Sequence, residues 1–231
     1  MLGPRLVVAG THSGAGKTTV ATGLMAALRR RGRVVASAKV GPDFIDPGYH
    51  ALATGRPGRN LDPWMCGPSL IGTLAGRAAE GADVLVVEGV MGLFDGAADG
   101  SPSSTADVAV ALDAPVLLVV DCSSQAASVA ALVHGFATFD PRVRVAGVVL
   151  NRLASDSHEA MVRSAIAAMA DPVPVVGALR RDERLSWRDR HLGLVPVAER
   201  PDEVAASLAL LADLIVERCD LAQVLAIAET A

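Results

Sequence analysis

The sequence predicts an α/β fold, a doubly wound and mainly parallel sheet with helices on both faces. Short apolar runs alternate with helical segments along the 231 residues, which is the element order of such a sheet. Most of the runs are continuous Val and Leu, as expected of strands that are buried on both faces. The composition is 51% hydrophobic and only 3% aromatic, so the core must consist of Val, Leu, Ile and Ala. We expect one domain over residues 1–231.

Each element follows from this pattern in chain order. The apolar runs predict strands at Leu6–Ala9, Val34–Ala38, Val84–Val87, Val116–Val120, Val145–Leu150 and Val173–Val176. Helical periodicity predicts helices at Thr18–Arg30, Ser69–Ala79, Thr105–Leu112, Ser124–Phe136, Ser157–Met169, Pro201–Leu214 and Ile215–Ala228. The last two adjoin without a clear breaker and are compatible with one long helix. The longest stretches without a regular pattern are Lys39–Pro68 and Gly89–Ser104, both just past strand ends, where function often lies.

A glycine-rich loop, GTHSGAGKTT, joins the first strand to the first helix at residues 10–19. This order predicts a phosphate-binding loop (P-loop), because glycines let backbone N–H groups wrap around phosphate oxygens at a helix N-terminus. The usual pattern places its first glycine where Thr11 stands, so this is a variant. A turn without a ligand is the alternative, and the joint occurrence of strand, loop and helix argues against it. The predicted nucleotide-binding residues of the loop are Gly14, Gly16, Lys17, Thr18 and Thr19, with Lys17 on the β- and γ-phosphates and Thr18 on Mg²⁺.

The second predicted strand leads into KVGPDFIDPGYH, from Lys39 to His50. A carboxylate of Asp43 or Asp46 at this rim can ligate Mg²⁺, and Lys39 can neutralise transferring phosphate charge. A solvated turn is the alternative, since Gly-Pro-Asp is common in turns.

The third predicted strand ends in VLVVEGVMGLFDG, from Val84 to Gly96. Four apolar residues followed by a carboxylate is the second signature of nucleotide hydrolases, so we expect Glu88 to reach Mg²⁺ directly or through water. Asp95 is predicted either to contact substrate or phosphate, or only to form the turn.

Polar residues elsewhere give weaker indications. Ser103 to Thr105 favour an N-cap for the next helix over a site for a substrate carboxylate. Asn151 and Arg152 follow the fifth strand and suit either the adenine edge of a nucleotide or an ordinary turn. His191 is assigned no chemistry.

Composition excludes several classes of function. The net charge of −4 with scattered arginines gives no sign of nucleic-acid binding, and no segment suits a membrane. Three widely spaced cysteines suit neither a zinc site nor a disulfide framework, so a reducing cytoplasm is expected.

Four motifs in order, GTHSGAGKTT, KVGPDFIDPGYHALATGRPGRNLD, VVEGVMGLFDG and GVVLNR, closely resemble the N-terminal synthetase domain of cobyrinate (or hydrogenobyrinate) a,c-diamide synthases. The similarity continues through PVVGALRRDERL and RHLGL and covers nearly the whole chain. It implies a P-loop fold similar to dethiobiotin synthetase. It also implies a cobalamin-biosynthesis ligase, in which ATP phosphorylates the a- and c-carboxylates of a corrin and ammonia displaces the phosphate.

The resemblance also implies roles for individual residues. ATP would be held by the P-loop, with Asn151 as the adenine reader, and Mg²⁺ by Thr18, Asp43 and Glu88. Catalysis would involve Lys17, with Lys39 as a phosphate clamp and Asp46 and Asp95 tuning the acyl-phosphate step. Phe44 and Ile45 resemble a substrate-contacting pair, although another aromatic often stands at the first position.

The family normally continues into a class I glutaminase domain that supplies ammonia, and this sequence ends at Ala231, where that domain would begin. We therefore expect either an excised domain or a separate glutaminase partner. We also expect this chain alone to use free ammonia. A homodimer is left open. Two other hypotheses remain: a related ligase such as cobyric acid synthase or dethiobiotin synthetase, and a partition-type switch ATPase. The KVGPDFID block argues against a related ligase. His12 stands where switch ATPases usually have a second P-loop lysine, and this argues against a switch ATPase.

Overall fold

The computed structural model describes residues 2–182 and 201–231, so His191 and the RHLGL motif lie outside the described residues. Its strands are β1 (Arg5–Gly10), β2 (Val35–Val40), β3 (Arg59–Leu61), β4 (Val84–Glu88), β5 (Val116–Asp121), β6 (Val145–Leu153) and β7 (Val175–Arg180). The described helices are α1 (Lys17–Arg30), α2 (Asp46–Thr54), α3 (Pro63–Cys66), α4 (Ile71–Ala79), α5 (Thr105–Ala111), α6 (Ser128–Thr138), α7 (Asp156–Ala167), α8 (Pro201–Arg218) and α9 (Leu221–Ala228).

The seven strands of the described residues join one parallel sheet in the order β3-β2-β4-β1-β5-β6-β7. The order in which strands are added reverses at β1, because β2 to β4 lie on one side of it and β5 to β7 on the other. In open sheets of this kind the ligand crevice lies outside the carboxyl ends of the strands at this switch point. The P-loop that follows β1 therefore lies in this crevice.

Helices cover both faces of the sheet. Leu6 and Val8 of β1 pack in one apolar cluster with α1, α8 and α9, whereas Val7 and Ala9 pack in a second cluster with α4 to α7. Alternate side chains of a strand point to opposite faces, so each central strand contributes to both layers. The predicted fold class and helical layers are confirmed.

The prediction that residues 39–68 lack regular structure was wrong. The segment folds into α2, β3 and α3, followed by a 3₁₀ turn at Pro68–Leu70 that precedes α4. Asp43 accepts the backbone N–H groups of Ile45 and Asp46 and so starts α2. The strand β3 has only three residues, too few for any periodicity to show, and pairing with β2 creates it.

Several predicted boundaries move. The C-terminal residues form two helices, and the break lies at Cys219–Asp220 instead of after Leu214. The backbone of Cys219 forms an isolated antiparallel β-bridge with Gly177 of β7, and the Asp220 side chain caps the N-terminus of α9. In addition, α6 begins at Ser128, four residues later than predicted, and Ser124 itself has a φ of +58°, outside the helical region. Across the described ranges, none of the helices has the length and apolarity required to cross a membrane.

Candidate active site

The site is assembled by three neighbouring strands, because β2, β4 and β1 lie side by side with their carboxyl ends at one edge. Their loops carry the P-loop, the Lys39–Asp46 segment and the Glu88–Asp95 segment, which are far apart in sequence. The sheet order therefore brings most of the predicted site residues to one rim.

The P-loop has the backbone that phosphate binding requires. Gly14 and Gly16 have φ values of +82° and +100°, a region in which glycine is unstrained. Within the described part of the chain, no side chain caps the N-terminus of α1 at Gly16. The N–H groups of the first turn and the positive end of the helix dipole can therefore face an anion.

Lys17 spans the gap between the P-loop and the loop after β4. Its Nζ donates hydrogen bonds to the carbonyl oxygens of His12, at 3.1 Å, and of Met91. Burial and the positive charge of Lys39 lower the pKa of Lys17, although nearby carboxylates partly oppose this. The ammonium thus lies among backbone carbonyls beside the P-loop, where phosphate oxygens would be stronger partners.

A buried ion-pair cluster lies beneath the P-loop. Lys39 Nζ lies 2.8 Å from Glu88 Oε1 and 2.7 Å from Asp46 Oδ2, and it also donates to the Gly89 carbonyl oxygen at 3.1 Å. His50 Nε2 lies 2.6 Å from Glu88 Oε2. Glu88 and His50 are fully buried, and the Lys39 side chain is only 5% exposed. We call these four residues, Lys39, Asp46, His50 and Glu88, the buried cluster.

The cluster sets the ionisation of its members. Burial disfavours the charge on Lys39, but Glu88 and Asp46 outweigh it and raise the pKa of Lys39. Burial likewise disfavours the charge on Glu88, but Lys39 and the hydrogen bond from His50 hold its pKa well below the usual range. Burial and the charge of Glu88 raise the pKa of Asp46, with partial compensation from Lys39. Glu88 and Lys39 are therefore an ionised pair at neutral pH.

Oxygen atoms suited to Mg²⁺ meet at the P-loop. The Thr18 hydroxyl donates a hydrogen bond to Glu88 Oε1, so a hydroxyl and a carboxylate oxygen, both hard ligands, already adjoin. Asp43 lies on the neighbouring loop, and its Oδ1 accepts the backbone N–H groups of Ile45 and Asp46 at the start of α2. Among residues 2–182 and 201–231, His, Cys, Asp and Glu form no ready metal-holding group of three or more. Thr18 and Glu88 thus fit Mg²⁺ as it is usually bound, by few side chains and by phosphates.

Asp95 and the predicted substrate-contacting residues, Phe44 and Ile45, follow the carboxyl ends of β4 and β2. Asp95 Oδ2 accepts the Gly92 N–H at 2.7 Å and closes the turn after β4, and its charge also acts on Lys17. The Phe44 side chain is 96% exposed, whereas Ile45 is half-buried at the start of α2. Ser104, by contrast, is part of a capping box with Asp107, so the predicted N-cap is confirmed.

Asn151 lies against the P-loop from the other side of the crevice. Its Nδ2 donates to the Ala15 carbonyl oxygen at 3.0 Å. A Cβ atom at Gly16 would lie 2.1 Å from that nitrogen, so only glycine allows this approach. Thr19 and Asn151 also line a cavity of about 300 Å³ together with residues of β7 and α8.

The site lies within a stretch of the chain that matches a known protein family. Residues 6–195 match the CobQ/CobB/MinD/ParA nucleotide binding domain, abbreviated CbiA. The chain belongs to the CbiA family. The P-loop and every member of the buried cluster fall within the matched CbiA residues.

Curated relatives of this CbiA chain include hydrogenobyrinate a,c-diamide synthases of three bacteria. The Streptomyces coelicolor protein is 58% identical over 98% of this chain and 46% of its own length. The Thermobifida fusca protein is 55% identical over 99% of this chain and 48% of its own length. The Mycobacterium tuberculosis protein is 51% identical over 96% of this chain and 50% of its own length. The chain therefore spans about half the length of the curated relatives it matches.

Solved structures support the CbiA fold assignment. The signal recognition particle receptor FtsY of Elizabethkingia anophelis superposes with a TM-score of 0.59 at 18% identity, covering 90% of this chain and 66% of that one. Chloroplast FtsY of Physcomitrella patens gives 0.56 at 20% identity, covering 76% and 58%. At such identities the likeness shows the fold alone.

Two features of this CbiA site escaped the sequence reasoning. His50 had no assigned role, although it follows Asp46 by four residues and so shares its face of α2. The chain also contains only two lysines among its 21 Lys and Arg residues, Lys17 and Lys39, and both are in the site. A lysine offers a compact charge whose pKa responds to burial, whereas arginine stays charged. The scarcity of lysine elsewhere was the signal that could have marked both positions.

Proposed function

We propose that this chain catalyses the ATP-dependent amidation of the a- and c-carboxylates of hydrogenobyrinic or cobyrinic acid, through an acyl phosphate, in cobalamin biosynthesis. One geometric observation carries the proposal. The Thr18 hydroxyl and the Glu88 carboxylate are hydrogen-bonded at the switch point of the sheet, and Lys17 and Lys39 lie beside them. The substrate class rests on the names of the relatives, hydrogenobyrinate a,c-diamide synthases, which match nearly the whole chain. The chain would act as one synthetase domain.

ATP would bind with its phosphates in the P-loop, at Gly14, Gly16, Lys17, Thr18 and Thr19. The base would occupy the cavity beside Asn151, whose amide has one N–H beyond that given to Ala15. Support comes from the φ values of the glycines, the uncapped start of α1 and the cavity that Thr19 and Asn151 line.

Mg²⁺ would be held by Thr18 and Glu88, with Asp43 as the third predicted ligand. When bound, the cation would neutralise charge on the phosphates. Asp46, like Glu88, contacts Lys39, which supports a role for Asp46 in orienting that lysine during acyl-phosphate formation.

The chain's own residues would bring two anionic reactants together. Phe44, which is exposed, and Ile45 would hold the corrin at the rim. The substrate carboxylate attacks the γ-phosphorus and ADP leaves. Ammonia then attacks the acyl carbon, phosphate departs with the C–O electron pair, and the nitrogen gives up a proton. Lys17 and Lys39 would stabilise the charge that moves during the first step, with Asp95 beside Lys17.

Ammonia would come from a class I glutaminase domain, in cis or in trans, so this chain alone would use ammonium but not glutamine. A cytoplasmic location belongs to the proposal, supported by three free cysteines. Neither nucleic acid nor a membrane is a proposed partner, and a homodimer stays a prediction.

The test is ADP release by the purified chain with Mg-ATP and ammonium, with and without hydrogenobyrinic acid, and with product masses measured in parallel. Substrate-dependent ADP release with one or two carboxyl-to-amide conversions is expected. Lys17→Met should abolish it, whereas Arg30→Met, which removes only a surface ion pair with Asp213, should not. ATP binding without any response to the corrin, even with a glutaminase domain added, would refute the proposal.

A further inference from the structure

The strongest unassigned feature of the site is His50, which no step above uses. Its side chain is fully buried on α2, and Nε2 lies 2.6 Å from Glu88 Oε2. Its other ring nitrogen, Nδ1, is buried without a hydrogen-bond partner among the residues that the structure describes. A buried histidine with only one bonded nitrogen is oriented by that single contact.

The state of Glu88 determines which ring nitrogen carries the proton. Glu88 Oε1 lies 2.8 Å from the Lys39 ammonium in a buried ion pair, so the carboxylate accepts hydrogen bonds at both of its oxygens. Nε2 of His50 therefore carries hydrogen and donates it to Oε2.

The two oxygens of Glu88 consequently have different partners. Oε2 binds only to His50 among the described hydrogen bonds, whereas Oε1 receives Lys39 Nζ and the Thr18 hydroxyl. A turn of the carboxylate would break contacts at both oxygens. His50 thus holds one oxygen inside the protein and leaves the other facing the P-loop.

We infer that His50 is a positioning residue, which fixes the Glu88 carboxylate so that Oε1 is presented to the Mg-nucleotide. This inference rests on the proposed function. The helix that carries His50 is anchored by packing, because its Tyr49 and Ala53 are buried in the apolar cluster that also contains α1. One turn earlier, Asp46 contacts Lys39. The same face of α2 therefore orients both members of the Lys39–Glu88 pair.

The test compares His50→Gln with His50→Asn. The glutamine amide nitrogen reaches the position of Nε2 and keeps the donor, whereas asparagine ends near the position of Nδ1 and loses it. His50→Met removes the donor with an apolar side chain, so the test survives if the Asn variant fails to fold. His158→Asn is the matched control, because His158 bonds through both ring nitrogens to the backbone at residues 154 and 125.

The measurement is calorimetric binding of a non-hydrolysable ATP analogue over a Mg²⁺ titration and in EDTA, which does not depend on turnover. We expect His50→Asn and His50→Met to raise the half-saturating Mg²⁺ concentration by about 10- to 100-fold, the usual effect of losing such a support. His50→Gln and His158→Asn should stay near wild type, and binding in EDTA should be unchanged in all variants.

The inference would be overturned if the half-saturating Mg²⁺ concentration were equal in the Gln, Asn and Met variants, because the donor on residue 50 would then have no effect. So would an equal loss of binding with Mg²⁺ and in EDTA, which would indicate a purely structural role. Wild-type protein that binds the analogue without any response to Mg²⁺ would instead refute the metal site of the proposed function, and the inference with it.

Discussion

Replacing Lys39 with methionine should cost this protein a large part of its stability. Lys39 Nζ lies 2.8 Å from Glu88 Oε1 and 2.7 Å from Asp46 Oδ2. The side chains of Lys39, Glu88 and Asp46 are 5%, 0% and 11% exposed. Methionine fills similar space but leaves two buried carboxylates without their cation. Removal of one partner of a buried pair costs about 3–5 kcal/mol, out of a total of about 5–15 kcal/mol for folded proteins.

The loss would be read as a change in the free energy of unfolding, measured by urea titration and by thermal melting with circular dichroism. For a chain of this size the expected decrease in Tm is about 6–20 °C. The matched control is Arg30→Met, because Arg30 pairs with Asp213 at 2.6 Å but with side chains 43% and 71% exposed. An exposed pair contributes less than about 1 kcal/mol. Adding Glu88→Gln to Lys39→Met should recover part of the loss, since one unpaired charge disappears.

Equal losses in Lys39→Met and Arg30→Met would refute the reasoning, because they would show that burial of the pair has no energetic consequence. A double variant less stable than Lys39→Met would contradict it too, since it would place the stabilisation in Glu88 itself and not in its pairing.

Two further predictions concern ionisation. Since the pKa of folded Glu88 lies below its ordinary value of 4.5, the folded state binds fewer protons in acid and stability falls as pH drops below that value; Glu88→Gln should flatten this decrease in urea titrations, and an unchanged slope would exclude Glu88 as a source. Cys66 is exposed, whereas burial raises the pKa of Cys122 and Cys219 to about 12. Thiol titration of the native protein should therefore detect one fast thiol, and two more only after unfolding, so that a second fast thiol would contradict the packing.

Much of the fold could be predicted because its signals are local. The Val and Leu runs of β1, β4 and β5 are buried on both faces, and hydrophobicity alone marks such strands. Elements that form only through contact with another strand or helix could not be predicted from the sequence. The strand β3 exists through its pairing with β2, and the break between α8 and α9 exists because Cys219 meets Gly177 of β7.

The candidate site divides in the same way. Lys17, Thr18 and Glu88 could be singled out because their signatures are contiguous in sequence. The contacts of His50 with Glu88 and of Asn151 with Ala15 join residues far apart in the chain, and no spacing rule contains them.

The sequence by itself determined a P-loop of glycines between a strand and a helix, since backbone sterics and short-range periodicity act within a few residues. Only the tertiary structure decided that Lys39, Asp46, His50 and Glu88 share one buried cluster beneath that loop. The physical reason is strand order: β2 and β4 become neighbours only when the whole sheet packs against both helical layers, and that arrangement also removes the water that would otherwise weaken their charges.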